Sequence, residues 1–337
     1  MKHVFVSHSH TVHLTNLGIV NALNLPGFDV IFIFTRGFRT ADLLEESKQI
    51  IADEEFERLG GLKNPGNRPV MRQELKAFDE MVITWVSGQD FSLYVPHLWA
   101  PFFKLLQTHQ LCKHVSLVQE GAYTVASLFF NRLPKTLQLR MKFSDWRKYG
   151  TTRLYGNGWY TDGELRHQRV LDAYAIYPEF FQYLSCNLHI VEWPECKGHL
   201  PEQINGPVFI FDGYVGLRIC SKDYYLHSCL RMITENAGPN NFLKFHPQQS
   251  AEERQAIIEF FRQTGRSFKI LDDTVPFEFY INALEQMKII GFGSSLLYFA
   301  KARGHQIICL DRRLMDDPLY KKYHSRGVPF FDEYFNS

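Results

Sequence analysis

Short apolar runs alternate with longer amphipathic stretches along this chain, and the alternation occurs twice. Few architectures tolerate that pattern. Apolar runs of four to six residues predict strands buried on both faces, and the amphipathic stretches between them predict helices covering a parallel sheet. In the first half, strands are predicted at 4–6, 30–34, 81–85 and 115–118, with helices over 41–57 and 98–109. In the second, strands are predicted at 208–211, 241–245, 268–271, 288–291 and 306–310, with helices over 224–236, 251–264, 276–285 and 295–303. Between the sets lies 193–207, holding Pro194, Gly198, Pro201, Gly206 and Pro207, which reads as a linker. The expectation is therefore α/β, with two Rossmann-like domains over 1–192 and 208–312 facing each other across a cleft. The final segment, 313–337, carries Tyr320, Tyr323, Phe330, Phe331, Tyr334 and Phe335 and is expected to pack back at the domain junction.

Composition narrows the function. Lys and Arg total 37 against 36 Asp and Glu, so bulk charge gives no reason to expect a nucleic-acid partner. The six cysteines (Cys112, Cys186, Cys196, Cys220, Cys229, Cys309) form no CxxC pair, which fits reduced thiols rather than a zinc site or a disulfide framework. The N-terminus reads as a strand rather than a leader, and no apolar run reaches the ~18 residues of a membrane span. A cytoplasmic protein follows, at most peripheral to a membrane. The one basic, ring-bearing stretch, 132–153, fits contact with anionic lipid at the inner face of the inner membrane or a solvated helix face.

Three segments stand at predicted strand ends, where α/β proteins place ligand groups. Val118-Gln119-Glu120-Gly121 puts a carboxylate after a buried strand, suited to general-base work or to an ordinary turn. Lys244-Phe245-His246-Pro247 fixes a histidine beside a proline, suited to a phosphate leaving group or to a structural hydrogen bond. Gly291-Phe292-Gly293-Ser294-Ser295 runs from a strand into a helix start, a phosphate cradle or a plain serine cap. Neither a Walker loop nor a GxGxxG fingerprint is present. Lesser candidates are His8, Ser9, His10 and His13 after the first strand, Asp90, Tyr94 and His97 after the predicted strand 81–85, and Asp212-Gly213 after 208–211.

Together the three segments resemble the bacterial sialyltransferase families of GT-B fold, with their acid-acid-Gly, HP and paired-serine motifs. Val275-Pro276-Phe277-Glu278 and Ser294-Ser295-Leu296-Leu297-Tyr298-Phe299 add to the likeness, which spans 118–299 by motif. The first acid of the motif is Gln119 here. The resemblance implies an inverting transferase needing neither metal nor cofactor. It would move sialic acid, or a related nonulosonic acid, from a CMP donor to a hydroxyl of a bacterial lipooligosaccharide or capsule glycan. Its partners would be that nucleotide sugar and a lipid-linked or oligosaccharide acceptor. It implies Glu120 as the general base and His246 as the group that stabilises or protonates the departing phosphate. Ser294, Ser295 and Gly293 would bind that phosphate, with Lys244, Pro247, Asp212 and Gly213 nearby, and Glu278 would hold the ribose. His8, His10, Asp90 and Tyr94 would lie on the acceptor side. Rival readings are a CMP-Kdo, legionaminic or pseudaminic acid transferase, a UDP-sugar hexosyltransferase, and a non-catalytic nucleotide- or glycan-binding protein.

Overall fold

The computed structural model describes residues 1–40, 44–61, 68–98, 100–120, 170–177, 186–195, 203–273, 275–325 and 330–335, with isolated positions between 136 and 153. Internal contacts divide the chain into two units, Met1–Pro194 and Glu195–Ser337.

The first unit runs β1 (Lys2–Ser7), α1 (His10–Ala22), β2 (Val30–Phe34), β3 (Lys48–Ile51), α2 (Asp53–Gly61), α3 (Arg68–Trp85), β4 (Phe91–Val95), α4 (Pro101–Gln107), β5 (Cys112–Val118), β6 (Val170–Ala175) and β7 (Asn187–Ile190). Among the described residues its seven strands are all parallel, in the order β3-β2-β1-β4-β5-β6-β7. The central strands read as continuous apolar runs because both faces are covered: Val4, Phe5, Val6, Phe32, Leu93 and Leu117 are buried. Phe5 pairs with Phe32 on one side and stacks on Tyr94 on the other, ring centroids 4.2 Å apart. Trp193, inside the predicted linker, is buried in this unit and donates from Nε1 to Thr15.

The second unit runs β8 (Val208–Ile210), α5 (Lys222–Asn236), β9 (Phe242–Lys244), α6 (Ala251–Gln263), β10 (Lys269–Ile270), α7 (Phe277–Ala283), β11 (Lys288–Gly291), α8 (Ser295–Ala302), β12 (Gln306–Cys309), α9 (Pro318–His324) and α10 (Phe331–Phe335). Five parallel strands take the order β10-β9-β8-β11-β12. Ser250 and Glu253 close a reciprocal capping box at the start of α6. The core gathers Phe209, Tyr225, Met232, Leu243, Ile257, Phe261 and Ile290, and Leu314 and Tyr320 from the chain end join it.

Most predicted elements are present, and the second set matches strand for strand. Two readings in the first half are overturned. Residues 81–85 are the last turns of helix α3, not a strand. Met71, Leu75, Phe78, Val82 and Val86 are buried at steps of four, three, four and four, which is helical spacing. The helix stops at Ser87-Gly88, both at positive φ, with the Gly88 N–H reaching back to the Ile83 carbonyl. The stretch 41–57 is likewise not one helix: it holds edge strand β3 and the start of α2. Strands β4, β6 and β7 had no counterpart in the sequence reading. No helix among the described residues is long and apolar enough to cross a membrane. Most of the basic stretch 132–153 lies outside the described residues, as does Cys196.

Candidate functional site

Strand order in the first unit reverses between β1 and β4, since the chain runs outward from β1 through β2 to β3 and then returns to β4 on its other side. The carboxyl ends flanking such a reversal form a crevice. Four side chains meet there, one from each of four neighbouring strands: Arg36 after β2, His8 after β1, His97 after β4 and Glu120 after β5.

The loop bearing His8 is tied down from helix α1. Asn16 donates from Nδ2 to the Val6 carbonyl at 3.1 Å and to Ser7 Oγ at 3.0 Å, and His13 Nδ1 lies 3.2 Å from the same hydroxyl. Ser9 caps the helix by accepting from the Val12 N–H. Thus held, the His8 imidazole puts Nε2 2.9 Å from Glu120 Oε1. The Arg36 guanidinium lies 3.9 Å from the same oxygen and donates to His97 Nε2 at 3.4 Å. Arg36 adopts φ 59°, a left-handed conformation that costs a non-glycine residue energy and recurs at functional sites. The turn around it is fixed by the Gly37 N–H donating to Asp53 at 2.8 Å.

Glu120 itself is anchored through its neighbour. Gln119 is fully buried; its Oε1 accepts from the Ile176 N–H at 2.7 Å and its own N–H donates to the Tyr174 carbonyl. The residue standing in for the motif's first acid therefore fastens the end of β5 to the end of β6. Burial alone would raise the Glu120 carboxyl, but His97, His8 and Arg36 outweigh it and hold the group down at about 2. His97 is pushed the other way, to about 3, by burial first, with Glu120 opposing. At neutral pH the crevice thus holds one ionised carboxylate, one neutral buried imidazole and one guanidinium.

The second unit carries its own cluster at the carboxyl ends of β8, β9 and β11. His246 follows β9 and its backbone is clamped. The His246 N–H donates to Gln249 Oε1 at 3.0 Å, and its carbonyl accepts from Arg254 at 2.9 Å. The Gln248 N–H donates to His246 Nδ1 at 3.1 Å, so the neutral ring carries its proton on Nε2. Burial, then Arg254, lowers its pKa below 6.5, keeping the ring a neutral donor at pH 7. Gly213 packs against this ring: a Cβ there would meet Nδ1 at 2.6 Å. At Gly293 a Cβ would meet the Tyr214 hydroxyl, so that ring would have to shift. Ser294 caps α8, accepting from the Leu296 N–H, and Ser295 is the first helical residue. Asp212, after β8, is buried, and its Oδ2 has no partner among the described residues. Burial raises its carboxyl to about 7, although the N–H groups of Gly293 and Phe292 pull it back.

The remaining predicted residues divide. His10 opens α1, edge-on to Phe38 at 5.0 Å. Lys244 ends β9 and is turned to Asp273, 3.0 Å away. Pro247 follows His246 in the clamped turn, and Glu278 is buried in the first turn of α7. Asp90 is misplaced by the sequence reading. With α3 helical, Asp90 precedes β4 instead of following a strand, at the opposite end from the crevice, where it pairs with Lys113 at 3.1 Å. Tyr94 is likewise a sheet residue between Phe5 and Tyr174, its hydroxyl 3.1 Å from His3. Arg36, Gln249 and Arg254 were missed. His97 was read as an acceptor-side candidate after the predicted strand 81–85; the strand it follows is β4 instead, and it lies in the crevice beside Arg36.

No family model matches the chain, and no curated protein matches it in sequence. Solved structures do match. A sialyltransferase from Photobacterium damsela shares 16% identity at a TM-score of 0.51, over 97% of this chain and 79% of that one. A Listeria monocytogenes protein named for UDP-N-acetylglucosamine 2-epimerase activity shares 10% identity at a TM-score of 0.50, over 99% and 89%. The chain has the GT-B type of fold, two Rossmann-like α/β units.

Proposed function

We propose that this chain is an inverting glycosyltransferase that moves sialic acid, or a related nonulosonic acid, from a CMP donor to a hydroxyl of a bacterial surface glycan. The observation carrying this reading is the pair of clusters at strand carboxyl ends: an ionised carboxylate in one unit, and a tautomer-fixed imidazole with a serine-capped helix start in the other. The fold alone would not choose it, since a protein named as an epimerase shares that fold.

In this reading Glu120 takes the proton of the acceptor hydroxyl as that oxygen bonds to the anomeric carbon. The bond from that carbon to the phosphate oxygen breaks, and CMP leaves with the electron pair. His246 donates from Nε2–H to the departing phosphate, and Ser294, Ser295 and the N–H groups opening α8 stabilise the same charge. Because the His246 ring is neutral before reaction, its first role is hydrogen-bond donation, with proton transfer following only as the phosphate gains charge. Metal-independent chemistry suits the first cluster, whose single carboxylate is already met by Arg36 and His8. Glu278 holds the ribose. The acceptor is lipid-linked or a free oligosaccharide, and the exposed Leu139, Phe143 and Trp146 in the basic stretch are where contact with an inner-membrane surface would fall.

The test is release of CMP from CMP-N-acetylneuraminate with a β-galactoside acceptor. Glu120→Gln and His246→Ala, each shown to be folded, should lower the rate at least about 100-fold. Wild-type rates in both variants would overturn the proposal.

A further inference from the structure

Resting on that reading, we propose that His8 is a positioning residue, assisted by Arg36, that aims Glu120 and keeps it ionised without itself taking the substrate's proton. The sequence offered His8 as a contact to the donor carboxylate or the acceptor sugar. The structure gives it a different occupation.

The argument is one of hydrogen-bond inventory. The imidazole Nε2 lies 2.9 Å from Glu120 Oε1, and a carboxylate can only accept, so the proton sits on Nε2. The nitrogen facing the carboxylate therefore has no lone pair to offer a substrate. The other nitrogen, Nδ1, is buried with no hydrogen-bond partner among the described residues. His8 thus donates to Glu120 through Nε2. Its side chain is 4% exposed whereas that of Glu120 is 27% exposed, so the carboxylate is the member of the pair that a substrate can reach.

Among the described residues, the groups facing Glu120 from the neighbouring strand ends are His8, Arg36 and His97. His97 is neutral and fully buried, and it meets the His8 ring at 5.9 Å. One guanidinium and one aimed N–H thus act on Oε1, leaving Oε2 for the acceptor hydroxyl. Both favour the ionised form, as does His97 at the acid end of the range, where it carries a proton.

The test compares His8→Ala, His8→Gln and Arg36→Gln in the CMP-release assay across pH 2 to 7, each rate corrected for hydrolysis of the donor without enzyme, because the carboxyl that sets the acid limb lies at about 2. A glutamine amide can reproduce the Nε2–H bond but cannot act as a base. His8→Ala should lower kcat/KM about 10- to 100-fold, as misplacement of a catalytic group does, and should move the acid limb of the profile upward by about one pH unit. Arg36→Gln should move the limb in the same direction and carries the test if His8→Ala fails to fold. His8→Gln should recover most of the loss. A His8→Gln enzyme as impaired as His8→Ala would make His8 the proton acceptor and overturn the proposal, as would an acid limb unmoved in both His8→Ala and Arg36→Gln.

A readout independent of turnover separates failure here from failure of the transferase reading. Glu120 is depressed from near 4.5 to about 2, so it stabilises the fold fully above pH 4.5, and that contribution is lost as pH falls toward 2. The stability difference between wild type and Glu120→Gln should therefore shrink between pH 5 and 3. In an Arg36→Gln background it should change less. Equal change in both backgrounds would overturn the pairing even if no CMP is ever released.

Discussion

Asp212 shows how one side chain can tie stability to pH. It is buried after β8, with one oxygen unpartnered among the described residues and its carboxyl raised to about 7. The unfolded chain releases this proton near 3.8, the folded one only near 7. Stability from the neutral carboxyl is thus complete below pH 3.8 and is lost as pH rises through 7. Asp212→Asn should gain stability relative to wild type between pH 5 and 8, on the order of 2 kcal/mol, and then level off. Denaturant titrations at four pH values would show it; a pH-independent difference would mean that the carboxyl is ionised throughout. At the neighbouring position, Gly213→Ala would drive a Cβ into the His246 ring. CMP release should fall about tenfold or more with the fold intact, because a misaimed donor loses transition-state contact. These residues also show what the sequence could reveal. Glu120, His246 and Ser294 were legible because each is signalled locally, by a strand followed by Gly, Pro or a cap. Arg36, Gln249 and Arg254 were not, because their roles arise only when separate strand ends or a following helix reach the same spot. What a pattern search reads as a weakened motif at Gln119 is, in space, a clamp between two strands.

Among elements, α3 is the instructive error. Its end, Met-Val-Ile-Thr-Trp, is β-branched and apolar, which by local preference reads as a strand. The helical spacing from Met71 to Val86 and the Ser87-Gly88 stop override that preference. Val82 is buried on the helix face, so Val82→Asp should destabilise the first unit by about 3 kcal/mol or more, through an unpaired buried charge. Val82→Leu should cost under about 1.5 kcal/mol. A strand at that position would instead make Ile83 or Met81 as sensitive as Val82, and a scan of the three by thermal melts decides it. The edge strands were harder still. β3 and β7 are short and mostly exposed, so they lack the apolar run by which the central strands announce themselves.

For the whole molecule, the doubled α/β pattern was readable because strand and helix periods differ and each set repeats the alternation. Ligand choice belongs to the same scale. A thermal-shift series with CMP, CDP, UDP and GDP, with and without EDTA, should show the largest rise with CMP and no effect of the chelator. A UDP-selective or metal-dependent rise would favour a hexosyltransferase. No rise with any nucleotide would remove the donor assignment. The all-parallel sheets also bear on how the protein reaches its working state. Strand β5 ends at Val118 and its partner β6 begins at Val170, so this pairing waits on the closure of a long connection. The Gln119 clamp onto Ile176 cannot exist until β6 has docked. In refolding from denaturant, recovery of secondary structure should therefore precede recovery of CMP release, with the carboxylate among the last groups to acquire its orientation.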